Sequence, residues 1–182
     1  MAVTPEIRAT CELAARTAGK LLLEFRGKFH VQEKGPADLV TDADFAAQKA
    51  IFAVIRDAFP DHKLIGEEDD TVETSQLQSA DPLWIVDPLD GTMNYAHGLE
   101  HYCVSIAYHD NAKVRVGVIY DPVRDHCYSA SLGGGAFLNG KPIATSQASS
   151  LSNSLISASF SPRAGNDEVD RFKRVISAAQ GI

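Results

Sequence analysis

The stretch WIVDPLDGTMNYAHG, Trp84 to Gly98, runs an apolar strand directly into Asp87, Pro88, Leu89, Asp90, Gly91 and Thr92. A rigid strand holds still whatever follows it. Alternation along an extended chain sends Asp87 and Asp90 to opposite sides, whereas a turn at Pro88-Leu89 folds both carboxylates toward one point. Upstream, Gly66-Glu67-Glu68 closes a second short strand. One of these glutamates reaches the same pocket if the two strands lie side by side. Clustered carboxylates need neutralising, and few arginines or lysines lie near them in sequence, so a bound cation is the expected counter-charge. Oxygen donors without adjacent histidine or cysteine favour Mg²⁺ over Zn²⁺.

Gly91 and Thr92 stand where the chain turns into a short helix, and a glycine there lets backbone N–H groups approach an anion closely. Phosphate is the expected anion. A carboxylate-held Mg²⁺ beside a phosphate points to hydrolysis of a phosphate ester. Each fragment alone has a plainer reading: an isolated Asp-Pro or Asp-Gly is usually a turn, and Glu67-Glu68 alone is a solvated pair. His97 and His101 are spaced i, i+4, but no HExxH pattern accompanies them, so they read as structural or surface residues.

Around this centre the periodicity predicts a mixed α and β chain. Thr4-Pro5 starts a helix that should run to about Phe29. Thr41 to Asp44 matches a capping box ahead of Phe45, Phe52, Ile55 and Phe59, and Pro60 ends that second helix. Strands are expected at Leu64–Ile65 and Leu83–Val86, with a polar loop from Asp69 to Asp81 between them. A hairpin follows, Cys103–Tyr108 and Val114–Tyr120, turning at Asp110-Asn111. Asn139-Gly140 is a second hairpin signal. A serine-rich connector, Ser146–Ser154, leads to a strand near Leu155–Ser159 and a helix over about Asp167–Ala179.

Composition excludes several classes. The 182 residues are 45% hydrophobic and 23% charged, which is ordinary for a globular chain. No apolar run is long enough to span a bilayer, and the start lacks a secretory pattern, so no membrane association and a cytoplasmic location are expected. Cys11, Cys103 and Cys127 form no metal-binding spacing and are expected to be reduced. A formal charge of −7 argues against a nucleic-acid partner.

WIVDPLDGTMNYAHG resembles the signature of the inositol monophosphatase family, within the magnesium-dependent, lithium-sensitive phosphomonoesterases. DLVTDAD at Asp38–Asp44 and GEE at Gly66–Glu68 are similar to the family's two other amino-terminal motifs, in the right order. The segment from Gly117 to Ile143 resembles the family as well. The resemblance implies an α+β fold, an αβαβα layered sandwich. It also implies that residues 1–182 are a single domain of this type, incomplete at the carboxy terminus before the end of the second half. It makes Glu67, Asp87 and the Leu89 carbonyl ligands of a first Mg²⁺, with Asp87 and Asp90 holding a second. Thr92, oriented by Asp44, would activate the attacking water with Glu67, and the Gly91 and Thr92 N–H groups would receive the phosphate. Lys34 and Glu68 match flanking positions, the former on a mobile loop. Met93 stands where the family often has threonine or serine, and altered packing is expected there. A later Trp-Asp motif has no counterpart, since Trp84 is the only tryptophan.

The implied substrate is inositol monophosphate or a similar small polyol or sugar phosphate, handled by a homodimer when the protein is full length. The 182-residue chain alone is expected to be weakly active or inactive. The competing reading is a non-catalytic binding module that retains part of the metal site.

Overall fold

The computed structural model describes residues 5–35, 38–69, 80–158 and 165–181. Helix α1 spans Pro5–Phe25 and buries Ile7, Cys11, Ala14, Ala15, Ala18 and Leu22 along one face. The expected Thr4 cap lies outside the described residues. The helix stops short of the anticipated Phe29 because Gly27, at φ 73°, turns the chain, with Lys28 N–H donating to Phe25 O at 2.8 Å. Left-handed backbone of this kind is the usual end of a helix.

Strands β1, Val31–Gly35, and β2, Asp38–Thr41, form an antiparallel pair that the periodicity does not reveal. Helix α2, Asp42–Ala58, starts at Thr41 as expected and buries Ala43, Asp44, Ala47, Gln48, Ile51 and Ile55. It ends just before Pro60, which cannot continue a helix.

A seven-stranded sheet follows among the described residues, in the order β3-β4-β5-β6-β7-β8-β9. Its strands are β3 Lys63–Gly66, β4 Leu83–Asp90, β5 Cys103–Asp110, β6 Lys113–Asp121, β7 His126–Ser131, β8 Gly135–Leu138 and β9 Lys141–Ile143. Only β3 and β4 are parallel, Gly66 pairing with Val86; every later pair is antiparallel. Helix α3, Thr92–Ala96, lies between β4 and β5.

The first hairpin turns through Asn111 and Ala112, φ 52° and 56°, one residue later than the sequence signal. Asn139 and Gly140, φ 48° and 77°, turn the β8–β9 hairpin as expected. Strand β7 goes beyond the sequence expectation, since its HCYSAS sequence carries little apolar character. Most of the polar loop expected at Asp69–Asp81 falls outside the described residues.

Helices α1 and α2 pack together against the sheet, α1 on β5, β6 and β7 and α2 on β4. The core joins Leu22, Ile51 and Ile55 of the helices to Trp84, Val86, Val104, Ile106, Val116 and Val118 of the strands. Trp84 is fully buried and packs against Tyr108, Phe59 and His62. No helix among the described residues is long and apolar enough to cross a membrane.

Residues 1–143 form one compact unit and 144–182 a second. Within the second, a 3-10 turn at Leu151–Asn153 precedes helix α4, Asn166–Ala178. The strand expected near Leu155–Ser159 is only a single parallel bridge, Leu155 with Gly181; Ser159 lies outside the described residues. Single residue pairing gives no ladder, and the serines of LISAS lack the β-branched side chains that favour one.

Candidate active site

Strand β4 faces β5 in regular register until Asp87 meets Ser105; the next partners are Asp90 and Cys103. Pro88 and Leu89 therefore oppose Val104 alone, which is a β-bulge. Ser105 and Cys103 are two apart and point to one face, so Asp87 and Asp90 point to it as well. The sequence suggests a turn at this place; a bulge brings the carboxylates together without ending the strand. Proline is tolerated inside sheets mainly at edges and bulges, because it has no N–H for the ladder. The local geometry is tied by Leu89 N–H, which donates to Asp87 Oδ1 at 3.1 Å.

Parallel pairing of β3 with β4 carries Glu67 to the same end of the sheet, where its N–H donates to Val86 O at 2.9 Å. Burial pushes the Asp87 carboxyl well above the usual carboxylate range, and the nearby Glu67 carboxylate, then Asp90, push it further. No lysine or arginine among the described residues pairs with Glu67, Asp87 or Asp90. Nor is any group of three or more histidine, cysteine, aspartate or glutamate residues gathered tightly enough, among the described residues, to form a closed metal cage. The Glu67 and Asp90 carboxylates thus add to the cost of charging Asp87. Their hard oxygen character and shared negative charge fit Mg²⁺.

Gly91 adopts φ 99°, and α3 begins immediately after it. With only five residues, α3 has little dipole to offer an anion; any affinity there rests on individual N–H groups. Thr92 Oγ1 stands 3.1 Å from Asp44 Oδ1 and 3.0 Å from Leu89 O. Its single proton can be given to either acceptor. Asp44 is buried on α2 and also accepts Thr41 N–H at 2.9 Å and the Thr41 hydroxyl at 2.5 Å. Burial raises the Asp44 carboxyl, against hydrogen bonds from Thr41 and Thr92 that hold it down.

Two further neighbours escape the sequence reading. The Cys103 thiol donates to Asp90 Oδ2 at 3.7 Å, and burial followed by the Asp90 charge pushes its pKa up to about 12. Gln48, four residues after Asp44 on α2, contacts the turn that carries Glu67. The i, i+4 spacing from Asp44 is the one signal that could have found it.

Of the flanking positions, Glu68 is half-buried beside Gln48, and the Lys34 side chain lies outside the described residues. His97 and His101 are exposed, in keeping with a surface position. Met93 is 39% exposed. A separate hollow of about 300 Å³ on the sheet, lined by Ile106, Gly117, Ile119, Tyr128, Phe137 and Ile143 among others, contains no acid, histidine or basic residue. The neighbouring carboxylates lie elsewhere, between α2, β3 and the end of β4.

The chain matches the inositol monophosphatase family over residues 3–180. It is 41% identical over 175 residues to inositol monophosphatase 2 of Solanum lycopersicum, covering 93% of this chain and 66% of the relative. It is 39% identical over 172 residues to the Nus factor SuhB of Pseudomonas aeruginosa, covering 92% and 63%. Among solved structures, the extragenic suppressor protein suhB of Bartonella henselae superposes with a TM-score of 0.88 at 33% identity, over 97% of this chain and 69% of that one. The chain spans about three fifths to two thirds of the length of the curated relatives it matches. A bulged strand delivering two aspartates beside a parallel neighbour's glutamate thus occurs in a chain whose fold and sequence agree with the same relatives, and the chain belongs to the inositol monophosphatase family.

Proposed function

We propose that the full-length protein hydrolyses a phosphate monoester of a small polyol or sugar, with inositol monophosphate the leading candidate, in a Mg²⁺-dependent reaction. The observation that carries this reading is the bulge at Pro88-Leu89, which puts Asp87 and Asp90 on one face next to Glu67. Glu67, Asp87, Asp90 and the Leu89 carbonyl would hold the metal. Bound Mg²⁺ supplies positive charge to the carboxylates and Lewis acidity to the phosphoryl oxygens.

The chain's own residues do the rest. Thr92 gives its proton to Asp44, which leaves the hydroxyl oxygen free to accept from water. A water so held, with Glu67 as second acceptor, donates both of its protons and keeps its oxygen lone pairs for the substrate. Asp44 does not touch the substrate; it fixes which way the Thr92 hydroxyl points. Gly91, at φ 99°, makes the left-handed turn from β4 into α3, where its N–H and that of Thr92 would receive a phosphate oxygen.

Calorimetric titration of this chain with Mg²⁺ tests the site. Binding by the wild type and its loss in Asp87→Asn, with the circular dichroism spectrum unchanged, is the expected result; equal affinity in both overturns the assignment. Phosphate release by the full-length protein from inositol, histidinol, fructose and nucleotide 3′-phosphates then ranks the substrates. A second reading, a non-catalytic binding module, draws support from the name Nus factor that several relatives carry. It predicts no phosphate release from any member of that panel.

A further inference from the structure

Helix α2 presents two buried polar residues one turn apart, Asp44 and Gln48. Asp44 reaches Thr92. Gln48, 8% exposed, spends both ends of its amide on the turn after β3: Oε1 accepts Glu68 N–H at 3.1 Å, and Nε2 donates to Asp69 Oδ1 at 3.0 Å. The other Asp69 oxygen accepts Gly66 N–H at 2.8 Å. The backbone is therefore tied on both sides of Glu67, at Gly66 and at Glu68, through one side chain and its aspartate partner.

Packing supports the same point independently. A Cβ built on Gly66 would come within 2.0 Å of Gln48 Oε1, so glycine at this position is what lets the amide come so close. A buried amide without partners costs about 1–3 kcal/mol, and Gln48 avoids that cost only while the turn keeps its present shape.

We propose that Gln48 is the positioning residue for Glu67, setting where its carboxylate stands relative to Asp87 and Asp90; this rests on the reading of those carboxylates as the Mg²⁺ site. The amide is matched to its surroundings in polarity as well as shape. Its donor end faces a carboxylate and its acceptor end faces an N–H, so a leucine of similar size loses both bonds. A glutamate would set one carboxylate against another unless Asp69 were changed as well.

Pairing Gln48→Leu with the double variant Gln48→Glu/Asp69→Asn gives the test. The double variant keeps the net charge of the wild type and reverses the direction of the side-chain bond: the amide introduced at position 69 donates to the carboxylate introduced at position 48. The N–H groups of Glu68 and Gly66 keep their acceptors. Two measurements are made on this chain: amide hydrogen exchange at residues 66–69 without metal, and calorimetric Mg²⁺ affinity.

Gln48→Leu is expected to expose the Glu68 amide to exchange and to weaken Mg²⁺ binding about tenfold to 100-fold, the range for residues that orient metal ligands. The double variant is expected to restore both to within about threefold, which a loss of general stability would not allow. Wild-type protection and affinity in Gln48→Leu overturn the proposal, as does a double variant no better than Gln48→Leu. If Gln48→Leu does not fold, the double variant decides by its own protection and affinity against the wild type. If the wild type binds no Mg²⁺, the reading of the site falls, and the exchange data still decide whether Gln48 fixes the turn.

Discussion

Thr92 Oγ1 and Asp44 Oδ1 stand 3.1 Å apart although 48 residues separate them, joining the first turn of α2 to the start of α3. Thr92→Val removes the hydroxyl and keeps the shape. Turnover of the full-length protein is expected to fall on the order of 100-fold, the scale of a misplaced reacting group, while Mg²⁺ affinity stays within a few-fold. Thr92→Ser should keep most of the turnover. Steady-state kinetics alongside calorimetry separate the two effects, and an unchanged turnover in the valine variant leaves the Thr92 hydroxyl only a structural tie between α2 and the end of β4.

Asp44 also holds the beginning of α2, since Thr41 N–H and hydroxyl both donate to it. In Asp44→Ala these donors lose their partner inside the protein. Stability should drop by about 1–3 kcal/mol, read as a lower urea midpoint with an unchanged slope.

At Gly91 the backbone sits at φ 99°, and an added Cβ would lie 3.0 Å from His101 O and 3.3 Å from Tyr102 Cα. Both neighbours are backbone atoms that cannot rotate away. Gly91→Ala is expected to destabilise by about 1–2 kcal/mol from the left-handed conformation, with the contact adding to it. It should also weaken Mg²⁺ binding, because Asp90 is adjacent. Urea unfolding and calorimetry on the same variant check both, and a neutral result would mean the segment relaxes freely.

His62 provides a pH response away from the site. Its Nδ1 accepts the Trp84 Nε1 proton at 3.0 Å, which requires the neutral ring, and burial lowers its pKa from 6.5 against the pull of Asp61 and Asp110. The unfolded chain then binds the proton more readily than the folded one. The contribution to stability is complete above about pH 6.5 and declines as pH falls from there toward the depressed folded value. Urea unfolding at pH 7.5 and 5.5, taken as the difference between wild type and His62→Asn, should show the loss. Trp84 emission, the only tryptophan signal, should shift over the same interval.

Much of this could be read from the sequence because it rests on local chemistry. The Thr41–Asp44 pair marks the start of α2, Pro60 its end, and Asn139-Gly140 the β8–β9 hairpin, each through conformational preferences that act within a few residues. Strands β1, β2 and β7 escape such a reading because their side chains alternate weakly; their pairing depends on partners supplied from elsewhere in the chain. The site shows the same division. Asp87, Asp90 and Thr92 are visible as a string, but the means of bringing the aspartates together, a bulge across from Val104, depends on the register with β5. Gln48 is hidden for the opposite reason: its i, i+4 spacing from Asp44 puts it on the same helix face, but that spacing does not tell that both ends of its amide meet a turn.

Among the described residues β9 is the last strand of the sheet, and its sequence Lys141-Pro142-Ile143 bears on what happens when molecules are crowded together. In a two-residue hairpin the flanking pair, here Leu138 and Lys141, exchanges hydrogen bonds; the next pair, Phe137 and Pro142, turns its backbone groups outward. At that outward position proline has no N–H to give. A neighbouring strand sliding alongside meets a lone carbonyl next to a lysine charge and finds no ladder to extend. Apolar side chains such as Ile119 and Tyr128 remain open on the flat of the sheet. Growth edge to edge into fibres is opposed at β9, and contact between copies falls to such side chains instead.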